Sequence, residues 1–473
     1  MNTYYWHDYE TWGTQPSVDK PVQFAGVRTD LELNPLGEPL VFHCRPSADC
    51  LPQPEACLVT GMTPQIAMEN GVPEPDFFRL IHRQLSQPGT CAVGYNSIRF
   101  DDEVTRYGFY RNFYDPYERE WKQGNSRWDI IDMVRMVYAL RPETLNWPLN
   151  DDKVPSFKLE ALSRANGIDH QAAHDALSDV YATIGLAKLI KTRQAKLYEY
   201  AYSLRDKKRV AQLIDLNTHK PLLHISSRFA AARGCAALVI PLMCHPTNKN
   251  RVICYDLSVD PAPLIELSPE AVAERVFAKQ EALPDSAERI PLKEVHLNKS
   301  PILATTKLLD EAAAKRLGID KSSCERHWQQ LLAVDLTEKL TAIYGEVDRP
   351  ASLDAERQLY DGFIGDGDKY LLEKIREAAP ENLRQFSEQL ADERLRVLLF
   401  RYRSRHYPET LDDEESVRWK QWCYWRLTDP QAGASLVLDT YFQRLDELKQ
   451  NPECNQAIIQ QLVDYGDSLL ADA

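Results

Sequence analysis

The chain has 473 residues, 44% apolar and 27% charged, the profile of a globular protein long enough for two or three domains. No run of about 18 apolar residues occurs, which excludes a membrane-spanning helix, and the first residues lack the basic-then-apolar pattern of a secretory signal. A net charge of −14 argues, on first reading, against a nucleic-acid binder.

Residues 4–9 form a β-prone run, and 22–28 and 40–44 read as strands separated by Gly and Pro turns. Residues 77–85 have helical periodicity, and 91–95 read as a short buried strand. Amphipathic helices are expected over 130–140 and 158–166, with a longer one over 174–191. Alternation of this kind predicts an α/β domain over about residues 4–190. Beyond 195, short apolar runs at 221–226, 237–241, 251–257 and within 291–302 predict a small β-rich domain with a few helices. The surroundings of Pro350 read as a linker, and from residue 358 to the end long charged helices are expected to dominate, as over 369–379, 383–405 and 434–448. The ten cysteines show no C-x-x-C pair and no metal-type cluster, which suits reduced thiols in a cytoplasm. Charge is uneven: residues 195–251 carry ten basic and three acidic side chains, a local +7. Such a stretch reads either as a solvated face or as a strand-binding surface.

Three segments carry chemistry. In His7-Asp8-Tyr9-Glu10-Thr11, residues two apart on a strand project to one face, so Asp8 and Glu10 stand side by side. Adjacent carboxylates repel unless a cation lies between them, and an all-oxygen cluster suits Mg²⁺ or Mn²⁺. Alone, the pair also reads as an exposed strand end. Asn96 and Asp101 lie where a buried strand runs into a helix, and Asp101 alone reads as a helix cap. His174 opens the last helix of the domain, and Asp175 and Asp179 share a face of it; Asp175 is the natural capping residue.

In order and spacing, Asp8/Glu10, Asn96/Phe100/Asp101 and His174/Asp179 resemble the DEDDh exonuclease superfamily, with its D-x-E, N-x-x-x-F-D and H-x-x-x-x-D segments. Trp128-Asp129-Ile130-Ile131-Asp132 and residues 156–162 are similar to the helices that intervene in that family. A closer resemblance, to the bacterial exonuclease I family, spans nearly the whole chain. It rests on the segments Arg99-Phe100-Asp101-Asp102-Glu103, Asn112-Phe113-Tyr114-Asp115-Pro116-Tyr117 and Asn125-Ser126-Arg127-Trp128-Asp129. Three later segments agree: Val295-His296-Leu297-Asn298-Lys299, Gln358-Leu359-Tyr360-Asp361-Gly362-Phe363 and Phe400-Arg401-Tyr402-Arg403-Ser404-Arg405.

The resemblance implies a ribonuclease H-like exonuclease domain (1–194), an SH3-like β-barrel domain (195–348) and a helical C-terminal domain (351–473). It also implies 3′→5′ degradation of single-stranded DNA to 5′-mononucleotides, in DNA repair and recombination, by a cytoplasmic monomer. Two Mg²⁺ ions, with Mn²⁺ an alternative, would sit about 3.5–4 Å apart. Asp8 would bridge them, Glu10 and Asp179 would complete one shell, and Asp101 would serve the second. His174 would be the general base. Aromatic and basic side chains near such a site suit a single strand, which makes Arg106, Tyr117, Trp121, Arg135, Lys158, Lys299 and Tyr360, with Glu10 itself, the expected contacts. The family partner is the acidic tail of single-stranded-DNA-binding protein. A rival reading is an RNA-trimming member of the superfamily, whose relatives are essentially single-domain; another is a strand-binding scaffold that retains an inactive nuclease fold.

Overall fold

The structure, a computed structural model, describes residues 2–169, 175–279, 282–283, 288–345, 352 and 354–472. The chain divides into two compact units. The first comprises Met1–Arg127, His170–Ile184 and Pro350–Ala473, and the second Trp128–Asp169 and Gly185–Arg349. Among the described residues, no helix is long and apolar enough to cross a membrane.

The chain opens with β1 (Thr3–Thr11), β2 (Pro21–Thr29) and β3 (Leu40–Cys44), followed by α1 (Pro54–Thr60), α2 (Pro64–Asn70) and the short β4 (Gly71–Val72). Next come α3 (Glu74–Leu85), β5 (Thr90–Gly94), α4 (Asp101–Arg111), β6 (Ser126–Asp129), α5 (Ile131–Leu140), α6 (Leu159–Ala165) and α7 (Ala176–Arg193). The strands form a sheet of order β4-β3-β2-β1-β5-β6, in which β1 is antiparallel to β2 and parallel to β5. Every strand expected by residue 95 is present. The seven-residue helices α1 and α2 were not expected; each starts on a proline, which fits the first turn but leaves too few residues for a visible apolar stripe.

Alternation along β1 sorts its side chains between two environments. Tyr5 and Tyr9 are buried with Phe24, Phe77, Phe78, Val104 and Phe109, the core beneath α3 and α4. Asp8 and Glu10 point to the opposite face. Leaving Tyr9 on the core side is what brings both acids to one side.

In the second unit, β7 (Leu222–Ile225), β8 (Ala236–Cys244), β9 (Arg251–Asp256), β10 (Leu292–His296) and β11 (Ile302–Thr305) make an antiparallel sheet of order β10-β9-β8-β7-β11. The stretch 291–302, expected to contain an apolar run, holds all of β10 and the first residue of β11, with a turn at 297–299 between them.

The C-terminal part of the first unit is helical. The continuous helix expected over 383–405 is interrupted: a 3₁₀ segment, Pro380–Phe386, precedes the α-helix Glu393–His406. The carboxylate of Asp368 accepts the backbone N–H groups of Ala391 and Asp392, both at 2.8 Å, and Asp392 caps the new helix through Arg394 N–H. Helices Asp413–Thr428 and Gln456–Asp472 fall within the helical stretch expected from residue 358 to the end. Two clusters join this part to the nuclease sheet and helices. In one, Tyr107, Tyr110 and Phe113 pack with Leu372, Leu398 and Leu399. In the other, Trp12 and Val22 pack with Tyr441, Ile459 and Leu462.

Candidate active site

Asp8 and Glu10 stand on β1, Asp101 is the first residue of α4, and Asp179 lies in the first turn of α7. Asp8, Glu10 and Asp179 each offer an oxygen within 4.8 Å of the others. Burial, and then the proximity of the other carboxylates, raises the protonation range of Asp8 and Glu10. Glu10 is pushed up to about 8, first by burial and then by Asp179, Asp101 and Asp175. Asp8 is held well above the usual carboxylate range by burial, then by Asp101, Glu10 and Asp179. A cluster that resists ionisation this strongly gains from a cation. All of its donors are carboxylate oxygens, the set preferred by hard divalent ions, so these residues fit a metal of that class.

Asp101 is 4% exposed. Its Oδ1 accepts the backbone N–H of Tyr9 at 3.2 Å, and the Tyr9 hydroxyl and Thr105 Oγ1 are 2.9 Å apart. It does not cap α4: Phe100 holds the N-cap position. The neighbouring Asp102 is buried between Arg119 at 2.5 Å and Arg127 at 2.9 Å, which hold its carboxyl well below the usual range. Adjacent aspartates thus have opposite surroundings, one among acids and one among arginines. Asp175 does cap, its Oδ2 accepting Ser178 N–H at 3.2 Å. His174 lies outside the described residues.

The expected strand contacts differ in surroundings. Trp121 is 64% exposed and Tyr360 53%. Tyr117 is half-buried, with the Arg106 guanidinium 5.3 Å from its ring centroid. Arg106 itself is only 6% exposed, paired with Glu120 and Glu103, each at 2.8 Å, and hydrogen-bonded to the Tyr360 hydroxyl at 3.0 Å. Arg135, Lys158 and Lys299 belong to the second unit. There Arg135 pairs with Asp132 at 2.6 Å, Lys158 is exposed at the start of α6, and Lys299 is half-buried. One group the sequence reading passed over is Gln23, whose amide bonds to the start of α7.

Three family models match in succession: an exonuclease model over residues 5–187, the exonuclease I SH3-like domain over 205–346 and the exonuclease I C-terminal domain over 353–469. Exodeoxyribonuclease I of Escherichia coli K12 is 48% identical over 421 residues, covering 89% of this chain and 88% of the relative. That of Haemophilus influenzae is 43% identical over 471 residues, covering 99% of each. Among solved structures, a moderately thermophilic exonuclease I from Methylocaldum szegediense superposes with a TM-score of 0.95 at 47% identity, covering 99% of this chain and 100% of that one. E. coli exonuclease I with a dA16 oligonucleotide gives 0.95 at 44% identity and the same coverage. The zinc-bound form of the E. coli enzyme's complex with single-stranded DNA gives 0.94 at 44%, again with that coverage. The ribonuclease H-like domain, SH3-like domain and helical C-terminal domain expected from the sequence are therefore all present, and the chain belongs to the exonuclease I family.

Proposed function

We propose that this protein is a single-strand-specific deoxyribonuclease that removes 5′-mononucleotides from the 3′ end by metal-dependent phosphodiester hydrolysis, in DNA repair and recombination. The observation that carries the reading is the convergence of Asp8, Glu10 and Asp179 within 4.8 Å, in a chain of the exonuclease I family. RNA trimming is disfavoured, because the SH3-like and C-terminal domain matches cover residues 205–346 and 353–469, beyond the exonuclease domain, and E. coli exonuclease I is crystallised with a DNA oligonucleotide.

In the proposed mechanism, Asp8, Glu10 and Asp179, with Asp101, would hold two divalent cations. Mg²⁺ is the proposed ion and Mn²⁺ the alternative. When bound, the cations offset the negative charge that grows on the scissile phosphate. His174 takes the proton of the attacking water; an imidazole with an ordinary pKa of about 6.5 is suited to this near neutrality. Trp121, Tyr117 and Tyr360 offer ring faces to bases, while Arg135, Lys158 and Lys299 offer positive charge to the strand.

The proposed domain boundaries are 1–194, 195–348 and 351–473. We further assign a monomeric, cytoplasmic enzyme that binds the acidic tail of single-stranded-DNA-binding protein. The free state of all ten cysteines supports the cytoplasmic assignment, and the +7 charge of residues 195–251 supports binding of an acidic tail.

The test is digestion of single-stranded DNA and RNA of one sequence, labelled at either end, with Mg²⁺ or with EDTA. The expected result is rapid release of the 3′ label from DNA as a mononucleotide, only with metal. Comparable loss of RNA would transfer the reading to an RNA-trimming enzyme. In the same assay, His174→Ala should leave strand binding intact and reduce turnover by about 10²- to 10⁴-fold.

A further inference from the structure

Gln23 lies on β2, directly opposite Glu10 of β1 and His43 of β3 in the antiparallel register. Residues opposite one another in such a ladder project to the same face. Glu10, Gln23 and His43 therefore form a row across three strands, on the face that carries Asp8. The Gln23 side chain is buried. Its Oε1 accepts the backbone N–H of Ala176, the first residue of α7, at 3.2 Å. Its Nε2 donates to Asp175 Oδ1 at 3.4 Å and lies 3.4 Å from His43 Nε2. The backbone donor at Ala176 fixes which end of the amide is oxygen.

Asp175 in turn receives Ser178 N–H on its other oxygen, and its carbonyl accepts the backbone N–H of Asp179 at 3.1 Å. An unbroken chain thus runs from the β2 position beside Glu10 to the backbone of Asp179. Glu10 and Asp179 are two of the three converging acids. They come from elements far apart in sequence, and a helix start has free N–H groups that must find acceptors. Gln23 supplies one and grips the capping carboxylate at the same time.

We infer that Gln23 is a positioning residue of the nuclease site, docking the start of α7 on the sheet so that Asp179 meets Asp8 and Glu10 at metal-binding distance. The inference rests on the metal-dependent nuclease reading. Outer partners that orient metal ligands commonly contribute about 10- to 100-fold in metal affinity or activity, and that is the loss expected for Gln23→Leu. The loss should fall on Mn²⁺ affinity, measured by calorimetric titration without DNA, and on kcat, leaving the KM for an oligonucleotide nearly unchanged.

A charge-conserving swap provides the second arm. Gln23→Glu alone sets a new carboxylate against Asp175, and Asp175→Asn alone sets an amide nitrogen against the Gln23 amide nitrogen once its oxygen caps Ser178. Combined, the two changes restore a donor facing an acceptor, with donor and acceptor exchanged. Each single variant should bind Mn²⁺ weakly, and the double variant should recover most of the affinity. Circular dichroism melts establish that each protein is folded at the assay temperature.

The inference is overturned if folded Gln23→Leu protein binds Mn²⁺ and turns over like the parent, or if activity falls only in proportion to the folded fraction. A double variant no better than Gln23→Glu overturns it equally, and that arm stands even if Gln23→Leu does not fold. Should the parent itself fail to degrade DNA with metal, the nuclease reading fails instead.

Discussion

The backbone N–H of Tyr9, the residue between Asp8 and Glu10, donates to Asp101 Oδ1 at 3.2 Å, so an acid at the start of α4 is fastened to the strand carrying two others. One oxygen of Asp101 is thus engaged by a buried donor while its charge bears on Asp8.

The two roles can be separated by substitution. Asp101→Asn keeps an acceptor for the Tyr9 amide and removes one negative charge from the cluster. Asp101→Ala removes both and leaves a buried N–H unsatisfied, at a cost of about 1–3 kcal/mol. In EDTA, Asp101→Asn should melt at or above the parent temperature and Asp101→Ala below Asp101→Asn. Both should lose turnover by about 10²-fold or more, since an acid that helps hold charge-neutralising metal is worth several kcal/mol. Thermal melts and a digestion assay check the two effects separately. Equal melting temperatures for the two variants would refute the tethering role.

The Glu10 carboxyl predicts a pH dependence. Its range is raised from 4.5 to about 8 in the folded chain, by burial first. The folded state holds this proton where the unfolded state has released it, so the group stabilises the metal-free fold below 4.5 and loses that contribution as pH rises through about 8. In EDTA, the parent should lose more melting temperature than Glu10→Gln between pH 6 and pH 9. Saturating Mg²⁺ should narrow the difference, because the cation replaces the proton. A gap between parent and variant that stays constant across this range would remove Glu10 from the coupled cluster.

The acids were legible in sequence because each sits at a position that local periodicity or motif spacing defines. Asp8 and Glu10 share a face through the two-residue period of a strand, and Asp179 closes the H-x-x-x-x-D segment that opens at His174. Gln23 was not legible, because its role depends on cross-strand register with Glu10 and on contact with residues more than 150 positions away. Arg106 looked like a strand contact because its neighbours are aromatic and basic. The fold instead sets Glu103 and Glu120 on its guanidinium, one a turn away and the other beyond the helix end. The break before Glu393 was hidden for the same reason, since the Asp368 carboxylate that captures the chain there belongs to an earlier helix.

Trp121 is the aromatic to test for strand binding. Its indole is mostly exposed, so no core packing accounts for it. Stacking on one base is worth about 1–3 kcal/mol by alanine substitution. Trp121→Ala should therefore raise the Kd for a single-stranded oligonucleotide by about 5- to 150-fold with the melting temperature unchanged, while Trp121→Phe retains most of the affinity. Fluorescence anisotropy in EDTA measures binding without turnover. Unaltered affinity in Trp121→Ala would take the indole out of the strand path.

Asp49 ties the nuclease part of the first unit to its C-terminal helices. Its buried carboxylate pairs with Arg405 at 2.5 Å and Lys20 at 3.5 Å, and Arg405 also bonds Glu356. Arg426 lies within 3.9 Å of Asp49 and pairs with Asp354 at 2.8 Å. Arg405 and Lys20 hold the Asp49 carboxyl well below its usual range despite burial. A depressed carboxyl stabilises the fold above its unfolded range, and that stability is lost as pH falls through the folded value, so the network should weaken only in strong acid. Removing one partner strands the buried charge of the other, typically at about 3–5 kcal/mol. Asp49→Ala should therefore lower the urea midpoint markedly, and Asp49→Ala with Arg405→Met should recover part of the loss, because one buried cation fewer then shares the remaining acids, Glu356 and Asp354. Limited proteolysis should find the C-terminal helices more readily cleaved in Asp49→Ala than in the parent. If the double variant is as unstable as the two single changes added together, the stabilisation lies in packing around Arg405, and the ion pair is not what joins the two parts.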